Sequence, residues 1–366
     1  MLKAQLKCPN KILLITDLYP INYDKTIPFA IEDFALALRD FGFEISVIRP
    51  NFLFNTILRR HRVYKQGIYK RKEIKIYNKN FFLPFVFNNF TPSDNFDLII
   101  SHMPSGTIYA DLLNKKLKLP HISIVHNSDL KVLSDFKYSL YFKKRLMNAL
   151  KNSDYTGARN SNLKNKLKAD FILPSFIDKK YILDKKIPAE KLKIITVSRL
   201  IKRKNVDMVI NALNNLNFDF EYNIYGEGTE RKNLEKLVKK YNLQNKIKFH
   251  GKLEHNLIWE KLDSADVFAL PSKDETFGLC YLEAMARGLI TIAKKGESMD
   301  DIIENKKNGF LVENVSDIKN ILEDLTLNKK QKIINSTLLN IKNFEKEKVI
   351  SAYADIIEKC ITAHRL

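Results

Sequence analysis

Short apolar runs alternate with amphipathic stretches along this chain. "KILLITDLYP" (Lys11 to Pro20) reads as a buried strand ended by a loop, "FAIEDFALALRDFG" (Phe29 to Gly42) as an amphipathic helix closed by glycine, and "FEISVIRP" as the next strand. "FDLIISHMP", a helical "SGTIYADLLNKKLK" and "PHISIVHNSD" repeat the order. After a Lys- and Asp-rich segment, "DKKYILDKKIPAEK" (Asp178 to Lys191), the pattern restarts. There "LKIITVSRL", "FEYNIYGEG", "KIKFHG" and "ADVFALPS" read as strands, with "NVDMVINALNNL" and "ERKNLEKLVKKYNL" as helices. Such alternation argues for parallel sheets covered by helices on both faces. The expected fold is therefore α/β, with two doubly wound, Rossmann-like domains at residues 1–180 and 181–348. Val349, Ile350, Tyr353, Ile357, Cys360 and Ile361 recur at helical spacing, so a last helix at about 349–366 is expected to pack back onto the first domain.

Composition agrees with two domains, because 366 residues exceed the size at which one core usually keeps growing. The longest apolar runs, such as "FFLPFVF" (Phe81 to Phe87), fall short of the ~20 residues a spanning helix needs. The N-terminus carries only the short apolar run Ile12 to Ile15, too little for a signal-peptide core, so a cytoplasmic protein is expected. Cys8, Cys280 and Cys360 are odd in number and lack metal-ligand spacing, which points to reduced thiols. The net charge of +20 favours polyanionic partners: nucleic acid, an anionic membrane surface, or phosphorylated substrates. Frequent Lys, Asn and Ile also fit an AT-rich coding bias, which would raise basicity without functional meaning.

In open α/β sheets the ligand crevice lies beyond the carboxyl ends of the strands, so the loops there matter most. After "TVS" come Arg199, Lys202, Arg203 and Lys204. A forked guanidinium with a nearby ammonium suits a diphosphate. Gly226 and Gly228 in "IYGEG" permit a tight turn and close approach of a ligand, but Arg231 stands where a third glycine would complete a dinucleotide fingerprint. The segment "SKDETFGLCYLEAMARG" (Ser272 to Gly288) holds Glu275 and Glu283 around mostly apolar residues. A helix beginning near Phe277 or Gly278 and stopped by Gly288 would aim the amides of Phe277, Gly278 and Leu279 at a phosphate. Glu275 would then lie just before that entrance, and Glu283 could accept hydrogen bonds from vicinal hydroxyls such as those of a ribose.

These segments resemble the retaining glycosyltransferases of the GT-B fold, above all glycosyltransferase family four, the glycosyl transferases group 1. "VSRLIKRKN", "IYGEG", "SADVFALPSKDETFGLCYLEAMARG" and "NGFLV" follow in family order over residues 194–312, while "KILLITDLYP", "SHMP", "VHNSD" and "LPSFID" are similar more loosely. The resemblance implies two domains facing a central cleft, an N-terminal one for the acceptor and a C-terminal one for a nucleoside diphosphate sugar. It implies that Arg199 and Lys204 hold the donor diphosphate, with Gly226 nearby. Glu275 would contact the transferred sugar, Glu283 the ribose, and the Phe277 to Leu279 amides the phosphate. His126 matches the family's crevice-facing histidine, which positions the reacting sugar. There are departures: the loop "YPINYDKTIPFA" lacks the family's glycine pair, Ser198-Arg199 replaces Gly-Arg, and Asn205 replaces a glycine. No Asp-x-Asp triplet occurs, so neither a metal nor another cofactor is expected, only the nucleotide sugar as co-substrate.

Two basic, aromatic-rich runs remain. One lies within Asn51 to Phe87 and includes Arg59, Arg60 and Arg62; the other, "KYSLYFKKRLMNALK" (Lys137 to Lys151), has no acidic residue. Together they suggest docking on the inner face of the cell membrane to reach a lipid-linked saccharide. The expected activity is metal-independent, retaining transfer of a hexose-type sugar to a saccharide hydroxyl in bacterial surface glycan synthesis: lipopolysaccharide, capsule or glycoprotein glycan. A sugar-nucleotide epimerase of similar fold is the alternative. A noncatalytic binding module and a basic nucleic-acid-binding protein are further readings, the latter lacking any zinc, helix-turn-helix or RNA-sheet signature.

Overall fold

A computed structural model describes residues 10–21, 30–52, 65–81, 92–214 and 216–365. The chain divides into two compact units, Met1–Leu173 with Glu347–Leu366, and Pro174–Lys346.

The first unit is built on one eight-stranded sheet of β1 (Lys11–Ile15), β2 (Glu44–Phe52), β3 (Gly67–Arg71), β4 (Ile74–Phe81), β5 (Leu98–His102), β6 (His121–Val125), β7 (Tyr155–Ala158) and β8 (Phe171–Ile172). Their order is β3-β4-β2-β1-β5-β6-β7-β8, and every pair is parallel except β3 with β4. Central β1 reads as a continuous apolar run because both of its faces are covered: Ile12, Leu13, Leu14 and Ile15 are all buried. Helix Met103–Leu117 lays Tyr109, Ala110 and Leu113 against Leu13, Ile15 and Ile48. It approaches so closely that a Cβ on Gly106 would lie 2.7 Å from the Ile15 carbonyl oxygen. The last helix, Lys346–Arg365, packs on this same unit. Its Tyr353 ring meets Phe34 (5.3 Å) and Phe171 (5.8 Å), and His364 donates to the Lys118 carbonyl (3.1 Å).

The hairpin β3–β4 carries the described part of the first basic run. Lys72 and Glu73 turn it with φ of 45° and 65°, and several of its cations pair with acids of the same unit. Arg71 pairs with the buried Glu32 at 2.5 Å, Lys70 with Glu73 at 2.5 Å, and Lys75 with Asp94 at 2.7 Å. Arg59, Arg60 and Arg62 lie outside the described residues, as does most of the loop "YPINYDKTIPFA".

The second unit holds six parallel strands, β9 (Leu192–Val197), β10 (Phe220–Tyr225), β11 (Ile247–Gly251), β12 (Val267–Leu270), β13 (Ile290–Lys294) and β14 (Phe310–Val312), in the order β11-β10-β9-β12-β13-β14. Its boundary falls at Leu173/Pro174, ahead of the Lys- and Asp-rich segment rather than within it. The reason lies in packing. Ile182 and Leu183 rest on this unit's core, and Leu183 N–H donates to the Ala286 carbonyl. Lys186 is buried and caps helix Ile258–Asp263, donating to the carbonyls of Leu262 (3.4 Å), Asp263 (3.4 Å) and Ala265 (2.5 Å), and burial pushes its ammonium down to about 8.

Candidate functional site

In the second unit the loops after β9, β10 and β12 are sewn together. Ser198 N–H donates to the Tyr225 carbonyl, Leu200 N–H to that of Glu227, and Glu230 N–H to that of Leu200. Glycine is obligatory at this crossing: a Cβ at Gly226 would sit 1.7 Å from the Ser198 carbonyl oxygen, and one at Gly228 2.1 Å from that of Leu200. The close approach read from the sequence as room for a ligand is thus taken up by the neighbouring loop.

That loop carries Arg199 and Lys204. Arg199 is exposed and makes no ion pair among the described residues. Lys204 is buried and donates from Nζ to Glu275 Oε2 at 2.5 Å. The same oxygen receives Ser272 Oγ (3.0 Å) and Arg203 Nη1 (3.4 Å). Arg203 also reaches the carbonyls of Lys273 (3.3 Å) and Asp274 (3.5 Å), so it belongs to the cluster. Glu297 accepts the Glu275 N–H (3.2 Å). Asn205 takes φ 50° and donates to the Pro271 carbonyl (2.8 Å). An asparagine here does the backbone work of the family's glycine, since Asn tolerates the left-handed region.

The helix after Glu275 spans Leu279–Ala286, starting later than expected. Gly278 precedes it at φ 71°, and a Cβ there would strike the Tyr281 ring at 2.5 Å. Phe277 lies ahead of the helix and is buried, its carbonyl accepting Ser298 Oγ (3.4 Å). The first helical amides are consequently those of Leu279 and Cys280, while Tyr281 N–H is spent on the Gly278 carbonyl (3.0 Å). Tyr281 Oη donates to the Leu270 carbonyl (2.5 Å) and pins this helix below the end of β12. Glu283 is buried one turn on and accepts from His255 Nε2 (3.2 Å), a partner 28 positions away that the sequence did not signal. Burial pushes the Cys280 thiol up to about 12, so it is protonated at neutral pH.

His126 belongs to the first unit, just past β6, where it caps helix Asn127–Ser134. One ring nitrogen is engaged inward: Nε2 lies 3.1 Å from Nδ1 of His102, the last residue of β5. His126 keeps part of its surface open, yet the surrounding protein removes enough water to push its imidazolium down to about 3, with Arg159 adding repulsion. His102 is driven well below the ordinary histidine value by burial, then by His126 and Arg159. Asp129 accepts the His126 N–H (2.8 Å), and burial raises its carboxyl to about 7 against that hydrogen bond. The structure thus joins Lys204 to Glu275, sets Arg199 and the 277–279 turn on adjoining loops, and gives His126 a buried partner. Among the described residues no group of three metal-ligating side chains occurs and no helix is long and apolar enough to cross a membrane.

The family model for Glycosyl transferases group 1 matches residues 178–346, the second unit almost end to end. An uncharacterized glycosyltransferase of Methanocaldococcus jannaschii is 28% identical, covering 88% of this chain and 91% of its own. Among solved structures, the lipopolysaccharide outer core galactosyltransferase WaaB in its apo form matches with TM-score 0.72 at 17% identity, over 95% of this chain and 99% of that one. Anabaena HepE in complex with UDP and glucose matches with TM-score 0.69 at 18% identity, over 96% and 100%. The fold is GT-B. Through its second unit the chain resembles the group 1 glycosyltransferases.

Proposed function

We propose that this glycosyltransferase moves a hexose-type sugar, with retention of configuration and without a metal, from a nucleoside diphosphate sugar to a hydroxyl of a lipid-linked saccharide in bacterial surface glycan synthesis. The observation that carries the reading is the cluster of Lys204, Arg203 and Glu275 beside the exposed Arg199 at the strand ends of the second unit. Departure of the nucleoside diphosphate creates negative charge, which preorganised cations and the amides at the start of helix Leu279–Ala286 stabilise. Glu275 orients the transferred sugar, Glu283 holds the ribose, and His126 takes the sugar-positioning role that the resemblance gives it. The leaving phosphate itself takes the acceptor proton, so the protein supplies no nucleophile. A thermal-shift panel of nucleotide sugars tests the donor half of this reading, because a ligand that binds only the native state raises apparent stability with concentration. A flat response to every nucleoside diphosphate sugar would overturn it.

Membrane docking rests on helix Leu140–Lys151 and the residues before it. Phe136 is 99% and Leu140 83% exposed, with Tyr141 and Met147 also in solvent. Lys143 lies over the Phe136 ring and Arg145 over that of Tyr141. Cations beside exposed apolar groups suit anionic headgroups over an acyl boundary. Co-sedimentation with anionic vesicles is expected, weakened by salt and by Lys143→Glu with Lys144→Glu. Equal, negligible recovery with anionic and neutral vesicles at low salt would exclude docking.

A further inference from the structure

His102 has no place in the donor chemistry described above, yet three features of the first unit converge on it. The first is its contact with His126, 3.1 Å between ring nitrogens. Burial holds both rings neutral at physiological pH, so the contact contains one proton, carried by one ring and accepted by the other. Whichever ring donates, the proton on His126 is confined to one of its two nitrogens.

The second feature is that His102 cannot easily turn away. It is 1% exposed, and its ring packs edgewise on Phe34 with centroids 5.3 Å apart. Its other nitrogen, Nε2, is buried with no hydrogen-bond partner. Leaving a buried polar atom unsatisfied costs stability, and an apolar residue in this pocket would avoid that cost. The third feature is the backbone. Met103, immediately after His102, sits at φ 71°, a region that a non-glycine residue enters at a cost. The adjoining helix is locked against the end of β1 by the close approach at Gly106. Packing against Phe34 and the turn at Met103 therefore hold His102 where Nδ1 meets His126, at the cost of an orphaned Nε2.

We propose that His102 is a positioning residue that fixes His126 in a single neutral tautomer and ring orientation, so that sugar always meets the same His126 nitrogen in the same protonation state. This rests on the sugar-positioning role proposed for His126. The direct test does not depend on that role: long-range proton–nitrogen spectra of the full chain with labelled histidine, read without substrate. His126 should show two well-separated nitrogen shifts, one protonated and one bare, unchanged between pH 5.5 and 8.5. In His102→Phe, which fills the pocket without the contact, the two shifts should move towards an average. His102→Asn, whose amide reaches the position of Nδ1, should restore the separated shifts and serves as the second variant if the phenylalanine form does not fold. In turnover, His102→Phe should lower kcat by about tenfold with little change in donor KM, the scale seen when a partner that orients a working histidine is lost, and His102→Asn should recover most of it. Averaged His126 shifts in the wild type, or separated shifts that survive in folded His102→Phe, would sink the proposal. Normal turnover by His126→Ala would instead remove the role of His126 while leaving the tautomer result intact.

Discussion

Each unit gathers its polar side chains at the carboxyl ends of parallel strands, but the two gatherings handle charge in opposite ways. In the first unit His102, His126 and Asp129 are surrounded by protein, and burial drives all three towards their neutral forms. In the second, Lys204 and Glu275 are also largely withdrawn from water, yet they meet at 2.5 Å with Arg203 and Ser272 on the same carboxylate. Pairing there offsets the desolvation that acts unopposed on the histidines. The same architecture thus makes one cluster suited to fixing proton positions and another whose cations can be shared with a diphosphate.

The sharpest way to break this contrast is Glu275→Ala. Transfer should fall by about a thousandfold or more, the scale of losing a group that acts on the transition state, while the circular dichroism stays native because Glu275 lies in a loop ahead of its helix. Near-normal turnover would remove Glu275 from the donor site. Smaller effects are expected from Arg199→Ala and Lys204→Ala. Each should weaken nucleoside diphosphate binding by at least ~1.5 kcal/mol, roughly tenfold in Kd, and titration calorimetry showing unchanged affinity in both would refute a diphosphate role.

The pH dependence of stability sharpens the other side. Burial lowers the folded-state pKa of His102, His121 (to about 4) and His126 (to about 3), so the unfolded chain binds more protons as pH falls below the ordinary histidine value. Stability present above about pH 6.5 should therefore be lost towards pH 5, by about 2 kcal/mol per histidine at most. Asp129 acts with the opposite sign. Its raised folded pKa means the native state gains protons as pH falls from 7 to 4, which favours folding. Thermal unfolding should accordingly show a lower melting temperature at pH 5 than at pH 7, and a larger drop in Asp129→Asn. A drop unchanged in that variant would show that Asp129 is ionised throughout. The smallest effect is expected from metal removal: activity should survive excess EDTA, since Arg199, Arg203 and Lys204 supply the positive charge. Complete loss restored by manganese would contradict this.

The order of strands and helices was readable in the chain because local chemistry dictates it. A continuous apolar run such as Ile12 to Ile15, too short for a helix and followed by a loop, reads as a strand covered on both faces, and Gly288 at φ 70° stops a helix as its type predicts. The strand-end position of Arg199, Lys204, Glu275 and His126 follows from that order and from spacing alone. Partners distant in sequence were not readable, because nothing local marks them. Glu297 reaches the Glu275 amide from 22 positions away, His255 reaches Glu283 from 28, and His102 reaches His126 from 24. Glu32, which pairs with Arg71 of the hairpin β3–β4, likewise comes from a helix 39 positions earlier. Residue types and their periodicity thus determined which elements form and which loops reach the strand ends. Tertiary packing alone decided the state of each charge, because that depends on desolvation and on partners delivered by other loops.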